Sequence, residues 1–201
     1  PEDLSASISF RGMGNAAVDV ALFQAASKAV LDCEEVGFDY QKLHAVTPEA
    51  RRVQPYHFAS VNGLWYLVGH DLDRQAMRTF ALPRIRNLER TGRHFRRDPG
   101  FTPRRYFGDS LGVLRGDEPV VVRLAFDAYA AAFVRERVWH DSQVITEKTN
   151  GGIELELRLS FPDEALRWAM SWGEHACVVS PPEMVERARR TVKMMAAAYG
   201  V

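Results

Sequence analysis

Two alternating segments meet at Asn62-Gly63, and this pairing constrains the fold more than any other feature of the sequence. Residues 51–61 and 64–70 each interleave apolar or aromatic side chains with polar ones, which is typical of β-strands. Asn-Gly is a dipeptide that suits a two-residue turn between antiparallel strands. The sequence therefore predicts a β-hairpin at this point.

Further short strands surround the hairpin, and a helix precedes them. Apolar residues recur at helical spacing over 18–33. Additional strands are predicted at 34–40, 76–82 and 84–92. Pro83 interrupts the chain between the last two of them. One helix followed by five short strands predicts a small β-barrel, and the first domain is assigned to residues 1–96.

A second domain is predicted over residues 119–201, after a linker over 97–118. Asp127 is expected to cap the first helix of this domain, Pro162 to open the second, and Ser180 to cap a final helix. Its strands are predicted at 120–126, 143–147, 152–160 and 175–179. The order strand, helix, strand, strand, helix, strand is that of a ferredoxin-like βαββαβ domain. The chain is therefore expected to be α+β.

The charges of the chain are unevenly distributed although its net charge is zero. Residues 51–105 contain 12 arginines, no lysine and 4 acidic residues, whereas residues 1–50 carry a net charge of −5. Arginine suits bidentate contacts with phosphate groups. The middle of the chain is therefore a candidate for binding an anion, and residues 1–50 are not expected to bind operator DNA.

Alternation along the predicted strands divides the arginines between two faces. Arg78 alternates with Phe80 before Pro83. After Pro83 one face is predicted to carry Arg84, Arg86, Leu88 and Arg90, with Ile85 on the opposite face. Like charges in a row repel one another, so a bound anion is the preferred explanation for Arg78 and Arg84. A solvated surface is the preferred explanation for Arg90, Arg93, Arg96 and Arg97.

Several motifs in this region resemble the WYL domain of bacterial transcription regulators. They are R-x-V-x-P at Arg51, Val53 and Pro55, the triplet Trp65-Tyr66-Leu67, R-x-F at Arg78 and Phe80, and R-I at Arg84 and Ile85. The resemblance implies an Sm-like β-barrel that binds a negatively charged effector, either a nucleotide or a single-stranded nucleic acid. It also implies a C-terminal extension that supports a homodimer, and a DNA-binding helix-turn-helix that is missing from this chain.

The residues expected to bind this effector combine arginines with side chains that could stack or donate. They are Tyr40, Arg51, His57, Tyr66, Arg78, Arg84 and Arg86. Tyr40 and Tyr66 are candidates for stacking on a base, which contributes roughly 1 to 3 kcal/mol per base. Trp65 shares a face with Leu67 and is expected in the core.

Two alternatives to an effector sensor are considered. The first is a stand-alone module that binds RNA or single-stranded DNA. The second is a serine hydrolase that uses Ser110, since Gly108 to Gly112 reads as G-x-S-x-G. A nucleophile elbow requires a buried strand before the serine and a helix after it, and neither is predicted here. Ser110 is therefore interpreted as part of a turn, and no enzymatic activity is expected.

The remaining residue types give no sign of other chemistry. The six histidines lack paired metal-ligand spacing, and no nucleotide-binding glycine motif occurs, so neither a metal nor a cofactor is expected. Cys33 and Cys177 are far apart, which fits a reducing cytoplasm. No apolar segment approaches the length of a membrane helix, and no membrane association is expected.

Overall fold

The computed structural model describes residues 19–114, 116 and 118–201. The chain divides into two compact units, Pro1–Phe101 and Thr102–Val201. Each unit combines one antiparallel sheet with helices, which confirms the predicted α+β class. The boundaries predicted for the two domains and their linker remain predictions. Within the described residues, no helix is long and apolar enough to cross a membrane.

In its described residues, the first unit contains one long helix and five strands. Helix α1 spans Val20–Asp32; its N-cap is Asp19, whose Oδ1 accepts a hydrogen bond of 3.0 Å from the Leu22 backbone. The strands are β1 Glu34–Tyr40, β2 Glu49–Val61, β3 Leu64–Asp71, β4 Ala76–Ala81 and β5 Ile85–His94. A short 3₁₀ turn, Leu82–Arg84, contains Pro83 and separates β4 from β5.

The five strands form one sheet in the order β4-β3-β2-β1-β5. Asn62 and Gly63 have φ angles of 51° and 76° between β2 and β3, so the predicted hairpin is confirmed. β4 and β5 are the two edges of the sheet, and no hydrogen-bonded pairing between them occurs in the described chain. The described strands therefore form an open sheet, and the small β-barrel expected from the sequence is not confirmed.

One face of this sheet packs against α1 and forms the core. Its buried residues are Val36, Phe38, Tyr40, Val53, Leu67, Phe80, Leu82 and Ile85, with Ala26 and Ala29 from the helix. Trp65 packs against this cluster, with its ring 5.0 Å from that of Phe23 and 5.4 Å from that of Phe58. Trp65 is therefore half-buried and packs on the core, which agrees in part with the expectation that it belongs there.

A bulge in β5 changes the predicted faces of the arginines. Asp39 pairs with Arg86 and Gly37 with Glu89, so one residue of β1 lies opposite two residues of β5. Asn87 occupies the bulge with a φ of 52°, a conformation that asparagine tolerates better than most residues.

The extra residue inverts the alternation, so Leu88 packs on the core beside Ile85 while Arg86 is exposed. Arg84 belongs to the 3₁₀ turn. The prediction that Arg84, Arg86, Leu88 and Arg90 share one face is therefore wrong.

In its described residues, the second unit contains four strands, four α-helices and a short 3₁₀ turn, Gly173–His175. Its helices are α2 Pro103–Phe107, α3 Ala128–Arg135, α4 Pro162–Met170 and α5 Pro182–Ala198. Its strands, β6 Val120–Phe126, β7 Val144–Glu147, β8 Ile153–Leu159 and β9 Ala176–Ser180, form a sheet in the order β7-β8-β6-β9. Asp127 caps α3 as predicted, since its Oδ1 accepts from the Ala130 backbone at 2.9 Å. Ser180 instead ends β9, and Pro181 occupies the N-cap position of α5.

Candidate ligand-binding site

A cavity of about 440 Å³ lies in the first unit and is rich in cationic side chains. Its lining residues are Tyr40, Lys42, Arg51, Asp71, Arg74, Arg78, Thr79 and Phe80. We call it the basic cavity. Strands β1 to β4 and the connections that follow β1 and β3 supply these residues, so the cavity is assembled from distant parts of the sequence.

Strand register brings the charged residues to the core face of the sheet. Residues directly opposite each other in an antiparallel pair project to the same face. Arg51 lies opposite the buried Phe38, and Asp71 lies opposite the buried Val53. Arg78 precedes the buried Phe80 by two residues in β4. The apolar core face therefore continues into a charged end, where the basic cavity lies.

The close approach of β2 and β3 near this end requires a glycine. Gly69 pairs with Arg78 on one side and with Pro55 on the other, next to a bulge between Pro55 and His57. A Cβ atom at Gly69 would lie 2.5 Å from Val53 Cγ1 and 2.6 Å from the Gln54 carbonyl oxygen. No larger residue fits there without a shift of the backbone.

Arg51 is held by carboxylates and has little freedom to move. Its side chain is 8% exposed and forms ion pairs with Glu49 and with Asp71, whose Oδ2 lies 3.6 Å from Arg51 Nε. Glu49 also pairs with Lys42 at 2.5 Å and with Arg74 at 3.5 Å. The hydrogen bond from Lys42 is the largest of the effects that lower the pKa of Glu49. Glu49 therefore organises three of the four cations of the basic cavity.

Arg78 differs from the other three cations because its guanidinium makes no ion pair or side-chain hydrogen bond with any described residue. It is exposed and lines the basic cavity from β4. The four cations outnumber the carboxylates of Glu49 and Asp71 by two, so the site carries excess positive charge. Such an arrangement is suited to an anionic ligand held by a bidentate contact to Arg78.

Asp71 is the one carboxylate among the described residues that lines the cavity. Its side chain is 0% exposed, and its Oδ1 accepts hydrogen bonds from the backbones of Asp73 at 3.0 Å and Arg74 at 3.1 Å. Its Oδ2 is buried and has no hydrogen-bond partner among the described residues. The Oδ2 atom is therefore a buried acceptor without a partner among the described residues, in an otherwise cationic site.

The structure brings together three of the seven residues predicted to bind the effector, namely Tyr40, Arg51 and Arg78. Tyr40 is 9% exposed, its ring contacts that of Phe80 at 5.1 Å, and its hydroxyl accepts from the Ala81 backbone at 3.1 Å. This geometry makes Tyr40 a wall of the cavity and leaves no face of its ring open for stacking.

The other four predicted residues lie elsewhere. Arg86 lines a second cavity of about 660 Å³ beside α1, and it donates to the carbonyl oxygens of Pro83 and Ile85. Arg84 is half-buried in the 3₁₀ turn. His57 and Tyr66 project to the face opposite the core, because their neighbours Phe58 and Leu67 project into it.

The environment of His57 also differs from that of a phosphate site. Partial burial, and secondarily the charge of Arg97, lower the pKa of His57 below its usual value. A histidine with a lowered pKa is predominantly neutral at pH 7 and is a weaker ligand for a phosphate than a protonated one.

Sequence reasoning missed Lys42, Arg74 and Asp71. Lys42 and Arg74 lie in connections between strands, where alternation gives no information about direction. The usable signal for Asp71 was its position at the end of β3, two residues after Gly69 on the same face.

Ser110 has a structural role in the second unit. Its hydroxyl donates to the Leu114 carbonyl oxygen at 2.8 Å. The backbones of Gly112, Val113 and Leu114 all donate to the carboxylate of Glu164, at 2.8 to 3.2 Å. The G-x-S-x-G segment therefore forms a turn around Glu164, near the start of α4, and is not a nucleophile elbow.

Two family models match the chain. The WYL domain matches residues 21–90, which include the whole lining of the basic cavity, and the WCX domain matches residues 118–196. This chain is a WYL-domain protein. The resemblance drawn from Arg51, Trp65-Tyr66-Leu67 and Arg78 is thereby confirmed, and the second unit of this WYL-domain protein carries the WCX domain.

Curated relatives share a short segment with this WYL-domain protein. Protein PafB of Mycobacterium leprae is 46% identical over 52 residues, which are 26% of this chain and 16% of that protein. Protein PafB of Mycobacterium tuberculosis is 44% identical over 50 residues, 25% of this chain and 15% of that protein. The chain therefore matches less than a fifth of the length of these relatives.

One solved structure is similar to this chain in fold, and a second aligns with a lower score. A crystal structure of a CRISPR Cas-related protein aligns with a TM-score of 0.57 and 15% identity, covering 89% of this chain and 51% of that one. Proteasome accessory factor B/C (PafBC) of Arthrobacter aurescens aligns with a TM-score of 0.42 and 18% identity, covering 94% of this chain and 29% of that one.

Proposed function

We propose that this chain is the effector-sensing and dimerisation region of a bacterial transcription regulator, and that the basic cavity binds a negatively charged effector. The observation that carries the proposal is Arg78, an exposed guanidinium with no ion pair among the described residues, beside three cations already positioned by carboxylates. Membership of the WYL-domain family supports a regulatory role. The effector is a nucleotide or a single-stranded nucleic acid, whose phosphates Arg78, Arg74 and Lys42 would contact.

The finer assignment of both folds is part of this proposal. An N-terminal helix followed by five antiparallel strands in the order β4-β3-β2-β1-β5 is consistent with an open form of an Sm-like barrel. The second unit has the element order βαββαβ, with its first and third strands at the centre of the sheet, which is consistent with a ferredoxin-like domain. DNA binding is proposed to reside in a helix-turn-helix outside the described residues, and the regulator is proposed to be cytoplasmic.

A binding experiment on the basic cavity tests the proposal. Fluorescence anisotropy with short labelled single-stranded DNA and RNA, at two salt concentrations, is expected to show saturable binding that weakens as salt rises. Arg78→Ala is expected to weaken binding about tenfold or more, because it removes a charge-assisted hydrogen-bonding partner without disturbing an ion pair.

The matched control is Arg158→Ala. Arg158 is an exposed arginine of β8 in the second unit, and its removal lowers the net charge by the same amount. Equal binding by wild-type protein and a folded Arg78→Ala variant would refute the assignment of the effector to the basic cavity.

The homodimer is proposed from the last helix. Met184 and Ala188 are buried in the first half of α5, whereas Val192 and Met195, which continue the same stripe, are 53% and 47% exposed. An apolar stripe that begins in the core and continues on the exposed surface is suited to packing against the same helix of a second copy of the chain. The dimer is thus assigned to the second half of α5.

Met195→Lys is expected to convert the dimer to a monomer in sedimentation equilibrium, because a charge would be placed within an apolar interface. Lys193→Ala, on the same helix but outside the stripe, serves as the control and is expected to leave the dimer intact. A Met195→Lys variant that sediments as wild-type dimer would move the interface away from α5.

A further inference from the structure

The basic cavity contains one feature that anion binding does not use, the open acceptor of Asp71. A carboxylate that is 0% exposed normally has both oxygen atoms hydrogen-bonded, because an unmet acceptor is costly to bury. Here Oδ1 accepts two backbone N–H groups and Oδ2 accepts none from the described residues. Oδ2 is shielded from solvent, so it has hydrogen-bonding capacity left for a ligand group that displaces neighbouring side chains on entering the cavity.

Arg51 neutralises the charge of Asp71 without filling this capacity. The distance of 3.6 Å between Arg51 Nε and Asp71 Oδ2 is an ion-pair distance and is too long for a hydrogen bond. Arg51 donates instead to Glu49 through its terminal NH2 group. The site thus combines an acceptor at Asp71 with a cationic donor at Arg78 that has no ion pair among the described residues, both lining one cavity.

We infer that Asp71 Oδ2 accepts a single hydrogen bond from an amino or hydroxyl group of the ligand whose phosphate contacts Arg78. This inference rests on the proposed function. It narrows the ligand class to phosphate-bearing molecules that also carry an N–H or O–H donor, such as nucleotides, and it disfavours anions without a donor. A volume of about 440 Å³ is within the range of small-molecule binding sites.

Only one carboxylate oxygen of Asp71 lacks a hydrogen-bond partner among the described residues, and this restricts the kind of donor group that the ligand can present. The paired N–H groups of guanine need two acceptors side by side, but Oδ1 is already occupied by the Asp73 and Arg74 backbones. A single exocyclic amine, as in cytosine or adenine, or a single ribose hydroxyl matches one open oxygen. Comparing the affinities for CMP and UMP tests an amine against a carbonyl at the same ring position. Comparing those for CMP and dCMP tests the contribution of the 2′-hydroxyl.

Asp71→Asn is a nearly isosteric test of this acceptor. The amide oxygen is expected to occupy the Oδ1 position, since two backbone N–H groups point there, and this places the NH2 group at the Oδ2 position. The substitution therefore converts the acceptor in the cavity to a donor. It also removes one negative charge, which favours binding of a simple anion.

Isothermal titration calorimetry with CMP, dCMP, UMP and phenyl phosphate at pH 8 measures the effect. Phenyl phosphate serves as the donor-free ligand, since its phosphate is a dianion at that pH. Wild-type protein is expected to bind CMP at least tenfold more tightly than phenyl phosphate. Asp71→Asn is expected to weaken CMP binding about ten- to hundredfold and to leave phenyl phosphate binding unchanged or stronger.

The outcomes separate this inference from the proposed function. If wild-type protein binds neither CMP nor a short single-stranded oligonucleotide, the proposed function fails. If the oligonucleotide binds in an Arg78-dependent way but Asp71→Asn keeps the wild-type preference for CMP over phenyl phosphate, only this inference is overturned, and Asp71 is a counter-ion for Arg51. Should Asp71→Asn not fold, equal affinity of wild-type protein for CMP and phenyl phosphate overturns the inference by itself.

Discussion

Arg51→Ala is expected to lower the free energy of unfolding by about 3 to 5 kcal/mol, because it leaves the buried carboxylate of Asp71 without its counter-ion. Asp71 is 0% exposed and the Arg51 side chain is 8% exposed, so solvent cannot replace the lost partner easily. Equilibrium urea unfolding, followed by circular dichroism, measures this change.

Arg52→Ala is the matched control for this loss. Arg52 is the next residue of β2, its side chain is 58% exposed, and it pairs with Asp73 at 2.8 Å on the surface. Exposed ion pairs contribute little to stability, so we expect almost no change. The double variant Arg51→Ala with Asp71→Asn is expected to recover part of the lost stability. If Arg51→Ala is no more destabilising than Arg52→Ala, Arg51 does not hold the site together.

Trp65→Ala is expected to lower the free energy of unfolding by about 3 kcal/mol, because it removes a large aromatic ring from the core. Trp65 packs edge-on against Phe23 of α1 and is stacked on Phe58 of β2. It therefore contributes to the packing of α1 against the hairpin of β2 and β3. The loss is measured by the same urea titration.

Trp65→Phe retains an aromatic ring at this position and is expected to keep most of the stability and the full affinity for the oligonucleotide. A Trp65→Phe variant with wild-type stability but weakened binding would contradict the assignment of Trp65 to the core alone, and would place this residue at the ligand.

The hairpin, the core position of Trp65 and the cationic character of the site could be predicted from the sequence. Asn62-Gly63 fixes a turn by local backbone preference, and the alternation in β3 identifies the face of Trp65 and Leu67 without reference to distant residues. Arg78 follows from the same logic, since no bulge interrupts β4 between Arg78 and Phe80. Where the alternation along a strand is unbroken, the sequence is sufficient to predict the face to which each side chain projects.

Bulges explain most of what could not be predicted. Strand β2 contains one extra residue between Pro55 and His57, and β5 contains one at Asn87, where φ is positive. Each extra residue reverses the face of the sheet to which the side chains after it project. A bulge depends on the pairing partner, which the sequence of one strand does not contain. For this reason the sequence predicts Arg86 and His57 at the same site as Arg78, whereas the structure places them outside the basic cavity.

The composition of the basic cavity also depends on long-range contacts. Glu49 links Lys42, Arg51 and Arg74, although Arg74 is 25 positions away in the sequence. Asp71 is buried because the turn that follows β3 donates two backbone N–H groups to it. Such a carboxylate resembles any other strand-end aspartate until the fold is known.

The most direct test of the central claim is to locate the bound effector by two-dimensional ¹⁵N–¹H NMR during titration with a short single-stranded DNA. Binding at the basic cavity predicts saturable shifts of the amide signals of Asp73 and Arg74, which donate to Asp71, and of Arg78. Shifts confined to Leu22 and Asn87, which line the second cavity, with the basic-cavity signals unmoved, would contradict the account.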